Sequence, residues 1–386
     1  MADVECTGAD GVGQKIPAGR PRTPPLPEGC QPLSNQVAGH MHGRGKAGLL
    51  ESSDGTILKP ISTRPSGIRE LGFFQEVFRE DQSDPVITGL RGFLPKFIGT
   101  VREEDSYINY MKLDDVTSKF KKPCIMDVKI GRRAHVRDAT QQKRRSSTLK
   151  HPHLAKMGFQ ILGMRIYHPS KGDYVMFDRN YGRELSEDQI IHGLVRYFSN
   201  RKSFRCDVVP AFINRLEKIE NWFDKQCKYH FVSSSLLFVY EGETEISEIR
   251  NPPPAPAASL RNGDRDVILD VINDDVRDSR KYAVSNGDGE KQSHNSGEKT
   301  GHSSSGGELQ GGKCVDTSTP TCSSSGNTPA ENSHDALTDI RMIDFPHVVP
   351  STSVDDDYLY GLRRLINYLK TLLIHGADYH QLIDRD

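Results

Sequence analysis

The strongest constraint on the fold is a stretch of low complexity in the C-terminal part of the chain. Residues 285–335 contain 11 Ser and 9 Gly among 51 residues, and their only large apolar side chains are Leu309 and Val315. Such a stretch cannot bury enough apolar surface to offset the entropy of ordering it. Because a regular apolar pattern resumes at Leu337, we predict that residues 246–336 form a disordered insertion within a folded unit. Closing a loop of this length costs little extra entropy, since that cost grows only logarithmically.

The remaining composition indicates a folded chain without a strong net charge. Its 51 Lys+Arg and 52 Asp+Glu give a net charge of -1, so a charged ligand must meet a local patch. Seven scattered cysteines form no Cys-X-X-Cys pair, which disfavours a disulfide framework or a zinc ribbon. Reduced thiols and the lack of a signal-peptide pattern predict a nuclear and cytoplasmic protein. Residues 1–33, rich in Gly and Pro, predict a disordered arm.

Short apolar runs separated by Gly and Ser predict a small antiparallel sheet near the N-terminus. The predicted strands are residues 37–41, 47–50 and 56–58, followed by a helix over 66–80 with Ser66 as its N-cap. Longer strands are expected at residues 107–113, 124–130, 161–167, 174–177, 231–240 and 340–345. Amphipathic helices are expected at residues 187–198, 209–227 and 355–374. The pattern is that of an α+β protein.

One glycine-rich turn is typical of a phosphate-binding loop. Gly43, Gly45 and Gly48 form a GxGxxG pattern between two predicted strands, although this pattern is also common in ordinary hairpin turns. Lys59 ends the next strand and Glu70 lies in the following helix, the order in which kinases place the lysine and glutamate of their ATP site. The HRD and DFG motifs of protein kinases and the Walker A motif are missing.

A local excess of positive charge indicates an anionic ligand. Residues 129–172 contain eleven Lys or Arg and a single acid, Asp138. Such a segment attracts polyanions and donates charge-assisted hydrogen bonds to phosphate oxygens. Aromatic residues for base stacking are missing between residues 129 and 157, so a small phosphorylated substrate is favoured over a nucleic acid. The run at residues 143–145 also fits a nuclear-localisation signal.

Three motifs resemble one known family. Residues 123–131 read PCIMDVKIG, which matches the PxxxDxKxG signature of the inositol polyphosphate kinase family. Residues 234–242, SSLLFVYEG, and residues 343–345, IDF, resemble two further motifs of that family and occur in the same order. Within the family, the chain looks most like the multikinases.

This resemblance implies a two-lobed kinase-like fold with ATP bound in the cleft. The N-lobe would span residues 34–113, with a small antiparallel sheet and a helix, and the larger C-lobe residues 114–245 and 337–386. The residues implied to bind ATP or catalyse transfer are Lys59 at the phosphates, Glu70 in support, Asp114 to Val116 as the adenine hinge, Asp127 at the ribose and reaction centre, Lys129 between substrate and phosphoryl group, and Asp344 as the Mg²⁺ ligand.

The resemblance also implies an inositol phosphate site within residues 131–160. Lys143, Lys150, Arg165 and His347 match substrate-contacting positions of the family. The sequence differs from the family pattern at two places. Ser146 and Ser147 lie where related multikinases tend to carry glutamines, and Pro346 replaces a small residue of the metal motif. We expect these departures to affect which hydroxyls react.

The expected function is ATP- and Mg²⁺-dependent phosphorylation of inositol trisphosphate to tetrakis- and pentakisphosphate. A phosphoinositide head group at a membrane surface is an additional expected substrate. An inositol hexakisphosphate kinase and a non-catalytic inositol-phosphate-binding scaffold remain alternatives. We expect a monomer that forms no stable nucleic acid complex.

Overall fold

The computed structural model of the chain describes residues 23–43, 45–102, 108–200, 203–243 and 337–383. The predicted insertion and residues 1–22 of the predicted arm lie outside these ranges. In the described part, no helix is long and apolar enough to cross a membrane. The described elements form two antiparallel five-stranded sheets surrounded by helices, which confirms the α+β prediction.

The first sheet forms the N-lobe. Its strands lie in the order β1-β2-β3-β5-β4, and every neighbouring pair is antiparallel. They are β1 (Cys30–Pro32), β2 (Leu50–Ser52), β3 (Thr56–Pro60), β4 (Phe97–Arg102) and β5 (Asn109–Asp114). Leu50, Leu58 and Tyr110 form a buried cluster within this sheet. Lys59 thus extends from a strand that is fixed on both sides.

Helix α1 (Pro65–Phe78) joins the N-lobe sheet to the rest of the fold. Phe73 and Phe74 are buried on one of its faces and contact Phe345, with ring centroids 4.8 and 5.5 Å apart. The short helix α2 (Pro85–Gly89) follows, and Asp84 caps it by accepting hydrogen bonds from Val86 N and Ile87 N at 2.9 and 3.4 Å. A single turn of 3₁₀ helix, Leu90–Gly92, then leads into β4.

The second sheet forms the C-lobe and contains the longest strands. Its order is β11-β10-β6-β7-β8, and every neighbouring pair is again antiparallel. These strands are β6 (Pro123–Ile130), β7 (Phe159–His168), β8 (Asp173–Phe177), β10 (Ser235–Glu241) and β11 (Thr338–Ile343). A separate two-stranded ribbon pairs β9 (Tyr229–Phe231) with β12 (Val348–Pro350). Every residue of β6 is buried, which makes it a rigid base for the side chains that it presents.

Six helices complete the C-lobe. They are α3 (Gln141–Lys150), α4 (Leu154–Met157), α5 (Arg179–Glu184), α6 (Ile190–Tyr197), α7 (Val209–Lys225) and α8 (Asp356–Ile383). Helix α8 packs on α6 and α7, and Arg363 of α8 forms ion pairs of 2.7 Å with Glu220 and Asp224 of α7. These helices cover the core and leave α3 and α5 near the surface.

The N-terminal predictions require two corrections. The predicted disordered arm, residues 1–33, includes β1, which pairs with β2 and is therefore ordered. Residues 37–41 form no strand, because the side-chain amide of Gln36 binds the carbonyls of Ala38 and His40 at 2.7 and 3.1 Å in place of a neighbouring strand.

Two further expectations differ from the structure, and one helix was not expected. Helix α1 begins after Arg64, with Pro65 in its first turn, so Ser66 is not the N-cap. The predicted strand over 231–240 is two strands, because the backbone turns at Ser233. Helix α3 was not predicted, since Leu149 is its only large apolar residue.

Candidate active site

Strand register brings together residues that are far apart in sequence. Ser235 of β10 lies opposite Lys129 of β6 on one side and Ile343 of β11 on the other. Asp344 directly follows Ile343, so it emerges at the same end of the sheet as Lys129. Asp127 and Lys129 are two residues apart on β6 and therefore point to the same face. Three strands thus supply one site.

A lysine between two carboxylates links the lobes at this site. Lys59 Nζ donates hydrogen bonds to Glu70 Oε1 at 2.8 Å and to Asp344 Oδ1 at 2.6 Å. Burial alone would lower the pKa of Lys59, but the carboxylates of Asp344 and Glu70 outweigh it and raise that pKa. Burial would likewise raise the pKa of Asp344, and the charge of Lys59 instead lowers it. Lys59 and Asp344 are therefore both charged at neutral pH.

Backbone strain is concentrated at the same place. Among the described residues, Ser233 and Asp344 are the only non-glycine residues with positive φ, at 66° and 62°. This left-handed conformation is unfavourable for residues with a Cβ and persists where the surrounding structure fixes it. At Asp344 the backbone N–H of Phe345 donates a hydrogen bond of 2.8 Å to Glu70 Oε1, which holds the turn.

Lys129 is held by the strained turn before β10. Its Nζ donates to the carbonyl oxygen of Ser233 at 2.9 Å and to Ser233 Oγ at 2.8 Å. The side chain is 7% exposed, and burial lowers its pKa. Both partners of Lys129 are neutral, so its charge remains available to a phosphoryl group.

Asp127 carries an unsatisfied carboxylate oxygen. Its Oδ1 is buried and has no hydrogen-bond partner among the described groups. Burial and the nearby charge of Asp344 raise the pKa of Asp127 to about 7. Buried polar atoms are almost always paired in folded proteins, so an unpaired carboxylate oxygen in a residue that lines a cavity indicates a functional site.

These residues line one cavity of about 550 Å³ between the two sheets. Lys59, Glu70, Asp127, Lys129 and Asp344 occupy its polar end. Its other walls combine apolar side chains with the predicted hinge, and they include Val37, Leu49, Ile57, Leu113, Asp114, Val116, Ile125 and Leu237. Asp114 Oδ1 accepts a hydrogen bond from Lys96 N at 2.5 Å, so the hinge is fixed to the start of β4. The cavity therefore offers an apolar slot that leads to charged groups.

The glycine-rich turn covers this cavity. Gly43 and Gly45 have positive φ, and Gly48 lines the cavity. A Cβ at Gly48 would collide with the backbone of residues 40–42, so the turn can pack this closely only with glycine there. The expected phosphate-binding turn and the Lys59–Glu70 pair therefore lie at one cavity.

The donor set of this site fits a nucleotide held through a divalent cation. Asp344 leaves 43% of its side-chain surface exposed, and Asp127 supplies the unpaired oxygen. The described residues contain no cluster of three or more metal-ligating side chains. A cation here would thus rely on one or two carboxylates and on phosphate oxygens, which is the way Mg²⁺ binds in phosphoryl-transfer sites.

The predicted substrate residues fall into two groups. Lys143 and Lys150 are exposed on α3, and the charges of Lys143 and Lys129 both act on His347. His347 Nδ1 lies 3.5 Å from Arg69 Nη2, while Pro346 presents its carbonyl to Arg69 Nε at 3.2 Å. Burial and these cations lower the pKa of His347. Lys143 and His347 therefore lie close to Lys129 at the polar end of the cavity, whereas Lys150 lies at the C-terminal end of α3.

Arg165 lies elsewhere. On β7, Arg165 is opposite Ile125, whereas Gln160 is opposite Lys129. Arg165 and Gln160 are five residues apart, which is about 17 Å along a strand. Its guanidinium stacks on Tyr174, 3.6 Å from the ring centroid. Arg165 thus lies toward the apolar end of the cavity and not beside Lys129, Lys143 and His347.

The sequence interpretation missed several groups near Lys129. The ring of His151 lies 3.0 Å from Gln160 Oε1, and burial with the charges of Lys129, Arg179 and Arg183 lowers the pKa of His151 to about 4. The His-X-His pair that His151 forms with His153 in the sequence did not indicate that His151 lies near Lys129. The two arginines lie on α5, outside every motif. Only the high density of cations in the preceding segment pointed toward this region.

The comparisons with known proteins agree with this geometry. A sequence model described as "Inositol polyphosphate kinase" matches residues 110–370. The inositol polyphosphate multikinase of Rattus norvegicus is 37% identical over 380 residues, covering 91% of this chain and 95% of the relative. The Homo sapiens multikinase is 35% identical and covers 89% of each chain.

Two other similarities are more limited. Inositol hexakisphosphate kinase 1 of Rattus norvegicus is 32% identical over 143 residues, which cover 36% of this chain and 33% of that one. The solved structure of inositol phosphate multikinase Ipk2 of S. cerevisiae, in complex with ADP and Mn²⁺, has a TM-score of 0.50 at 19% identity. It covers 82% of this chain and 99% of its own, which shows a shared fold.

Proposed function

The chain belongs to the inositol polyphosphate kinase family and is a kinase, and from this premise we propose that it phosphorylates inositol 1,4,5-trisphosphate to tetrakis- and pentakisphosphate with ATP and Mg²⁺. One observation carries the proposal: Asp127, Lys129 and Asp344 meet at the end of a nucleotide-sized cavity, and Lys143 of the basic helix α3 is close enough for its charge to act, with that of Lys129, on His347. These groups can bind both the phosphoryl donor and an acceptor that carries several phosphates.

The similarities favour a multikinase over a hexakisphosphate kinase. Relatives named as multikinases align with about nine-tenths of the chain, whereas the hexakisphosphate kinases align with little more than a third. On the acceptor side, Lys143 and Lys150 lie on an exposed helix. Such an open site supports a substrate that binds in more than one orientation.

The charged residues divide the work of phosphoryl transfer. Phosphoryl transfer mainly needs positioned groups and neutralised charge. Lys59, held by Glu70, binds the phosphates of the donor. Lys129 places its charge between donor and acceptor and stabilises the transferred phosphoryl group. Asp344, with Asp127 beside it, would hold the cation and orient the donor, and Mg²⁺ held there would neutralise charge on the phosphate oxygens.

The acceptor reacts through a hydroxyl of the inositol ring. Its oxygen forms a bond to the terminal phosphorus of ATP, the bond from that phosphorus to the bridging oxygen breaks, and ADP leaves. The hydroxyl proton is released to solvent. Lys143 and His347 lie on the acceptor side of Lys129, where they bind acceptor phosphates and orient the hydroxyl.

A phosphoinositide head group is a second candidate acceptor, favoured by one observation. Leu149 of α3 is 78% exposed, on the same helix as Lys143 and Lys150. A basic helix with an exposed leucine suits the surface of an anionic membrane. We also propose that the protein is located in the nucleus and the cytoplasm. The exposed basic run of residues 143–145, which fits a nuclear-localisation signal, supports this proposal.

The test is a product analysis. The purified chain is incubated with Mg²⁺, labelled ATP and either inositol 1,4,5-trisphosphate or inositol hexakisphosphate, and products are separated by anion exchange. We expect tetrakis- and pentakisphosphate from the first substrate and nothing from the second. Pyrophosphate from hexakisphosphate would instead identify the hexakisphosphate kinase alternative. Binding of both without turnover would identify the scaffold.

A further inference from the structure

A second cavity lies beside the candidate active site, between helices α3 and α5. Its volume is about 690 Å³, and it shares no lining residue with the nucleotide cavity. On one side it is lined by Arg145, Ser146, Leu149 and Lys150 of α3, and on the other by Arg183 of α5. Arg145 is not among the residues of the site described above, and Arg183 was named there only for the effect of its charge on His151.

The charges in this cavity are not neutralised by the protein. Within the ranges that the structure describes, no carboxylate lies within 4 Å of the charged groups of Arg145, Lys150 or Arg183. Arg183 Nε is buried and has no hydrogen-bond partner there. A buried donor without a partner is costly and indicates a ligand that accepts its hydrogen bond.

A carboxylate close to the cavity in sequence, Glu187, is already paired with two other cations. Glu187 binds both Lys156 and Arg364, the latter at 2.5 Å. The chain therefore has a carboxylate close by in sequence, four residues after Arg183, but it is used elsewhere. Glu187 is thus not available to neutralise the cations of the cavity.

The position of Arg183 is fixed by packing. Gly182 lies against the carbonyl of Ile161 on β7 with no space for a Cβ, so α5 is held tightly on the sheet. The charges of Arg183 and Lys129 both act on the ring of His151, which directly follows α3. Arg183 therefore stands on the flank of α3 next to the reaction centre.

We propose that Arg183, together with Arg145 and Lys150, forms a second phosphate site that binds a phosphomonoester of the acceptor. This rests on the proposed function and deepens it. A kinase that phosphorylates more than one hydroxyl must bind the inositol ring in a second orientation. The phosphates already on the ring then point to another part of the site and need cations there. An arginine donates two parallel hydrogen bonds to phosphate oxygens, which suits this task.

The site should therefore matter most for highly phosphorylated acceptors. A trisphosphate bound at Lys143 and His347 can leave the second cavity empty, whereas a tetrakis- or pentakisphosphate places a group in it. The same phosphomonoester chemistry occurs on a soluble inositol phosphate and on a phosphoinositide head group, so the experiment includes both sources.

The test compares Arg183→Met with Lys171→Met, which removes an exposed cation in the turn between β7 and β8. Binding of inositol 1,3,4,5,6-pentakisphosphate is measured by calorimetry without nucleotide, and the KM for inositol 1,4,5-trisphosphate is measured with Mg-ATP. We expect Arg183→Met to weaken pentakisphosphate binding by about 10- to 100-fold, the effect of losing a charge-assisted hydrogen bond. The trisphosphate KM should change less than about threefold, and Lys171→Met should change neither value.

A second arm identifies the source of the phosphate. Flotation with phosphatidylcholine vesicles that contain phosphatidylinositol 4,5-bisphosphate is compared between wild type and Arg183→Met. A loss confined to the calorimetric titration supports the site with soluble inositol phosphates as its ligands, and a loss confined to flotation supports it with the lipid head group.

Two results would overturn the second site. One is unchanged binding of both probes in Arg183→Met. The other is an equal loss of affinity for trisphosphate and for pentakisphosphate in both Arg183→Met and Arg183→Lys. Arg183 would then serve the primary site or the stability of the fold. Thermal unfolding of each variant separates these two causes. If the wild type fails to phosphorylate any inositol phosphate but binds pentakisphosphate through Arg183, the second site stands and the proposed function fails.

Discussion

Glu70 Oε1 accepts a hydrogen bond of 2.8 Å from the backbone N–H of Phe345, so helix α1 holds the residue that follows Asp344. The same oxygen accepts a hydrogen bond of 2.8 Å from Lys59. A single carboxylate oxygen thus fixes both Lys59, the candidate phosphate-binding lysine, and the turn that carries the candidate metal ligand. The N-lobe and the C-lobe are aligned through Glu70, which is itself buried.

Glu70→Gln tests this coupling. The amide keeps a carbonyl acceptor but loses the charge that orients Lys59, so we expect kcat/KM to fall by about 10- to 100-fold, the cost of one charged hydrogen bond. The steady-state rate is measured with inositol trisphosphate and Mg-ATP. Glu76→Gln on the same helix is the control, because Glu76 pairs with Arg79 on the surface. Equal rates in both variants would contradict the role of Glu70.

Lys129→Met tests the role of a charge in the transition state. Because Lys129 is held by neutral partners, its charge is free to stabilise the transferred group, and we expect kcat to fall by about 10²–10³-fold. Nucleotide affinity, measured by calorimetry, should change by less than about threefold, since the loss is specific to the transition state. The exposed Lys218→Met is the control. A normal kcat would remove Lys129 from the mechanism.

Asp344→Asn tests the candidate metal ligand. Removing the carboxylate charge should raise the Mg²⁺ concentration for half-maximal activity by at least about tenfold, as changes around metal ligands do. The measurement is a Mg²⁺ titration of activity at saturating ATP. Asp173→Asn, an exposed carboxylate at the start of β8, should behave as wild type. An unchanged Mg²⁺ dependence of Asp344→Asn would refute the assignment.

Asp127→Asn tests the raised pKa of Asp127. The folded-state pKa of about 7 lies above the ordinary value of 3.8, so the folded protein binds more protons than the unfolded chain between those values. Ionising Asp127 therefore costs stability as pH rises through this range. The variant avoids this cost, and its free energy of unfolding relative to wild type should increase by about 3 kcal/mol from pH 5 to pH 8.

Urea unfolding of the nucleotide-free and metal-free protein at both pH values provides this measurement. Asp173→Asn is again the control, because its carboxylate is exposed. If the difference between Asp127→Asn and wild type is the same at pH 5 and pH 8, Asp127 titrates normally in the folded state.

Ser233→Ala and Ser233→Gly separate strain from hydrogen bonding. Both variants lose the hydroxyl that binds Lys129, so kcat should fall to a similar extent, by about tenfold for one hydrogen bond. Glycine also relieves the positive φ, so Ser233→Gly should be more stable than Ser233→Ala by about 1 kcal/mol. Equal stability in thermal unfolding would show that the turn carries no strain.

The sequence was most informative where one strand carries the signal by itself. The apolar run that forms β6 predicted a strand, and the alternation of side chains along any strand then places Asp127 and Lys129 on one face. The order of Lys59 and Glu70 likewise predicted that both belong to one site, and the structure shows them in contact. By contrast, α3 has almost no apolar residues, so its helical form could not be predicted from periodicity.

The amino-acid sequence by itself determined which residue types the site has, since the family motifs and the basic segment are local patterns. Only the tertiary structure decided which of them meet. Strand register placed Asp344 beside Lys129 and carried Arg165 to the other end of β7, and helix packing brought Arg183 to α3. Register and packing depend on contacts between distant segments, and a short stretch of sequence contains no information about its distant partners.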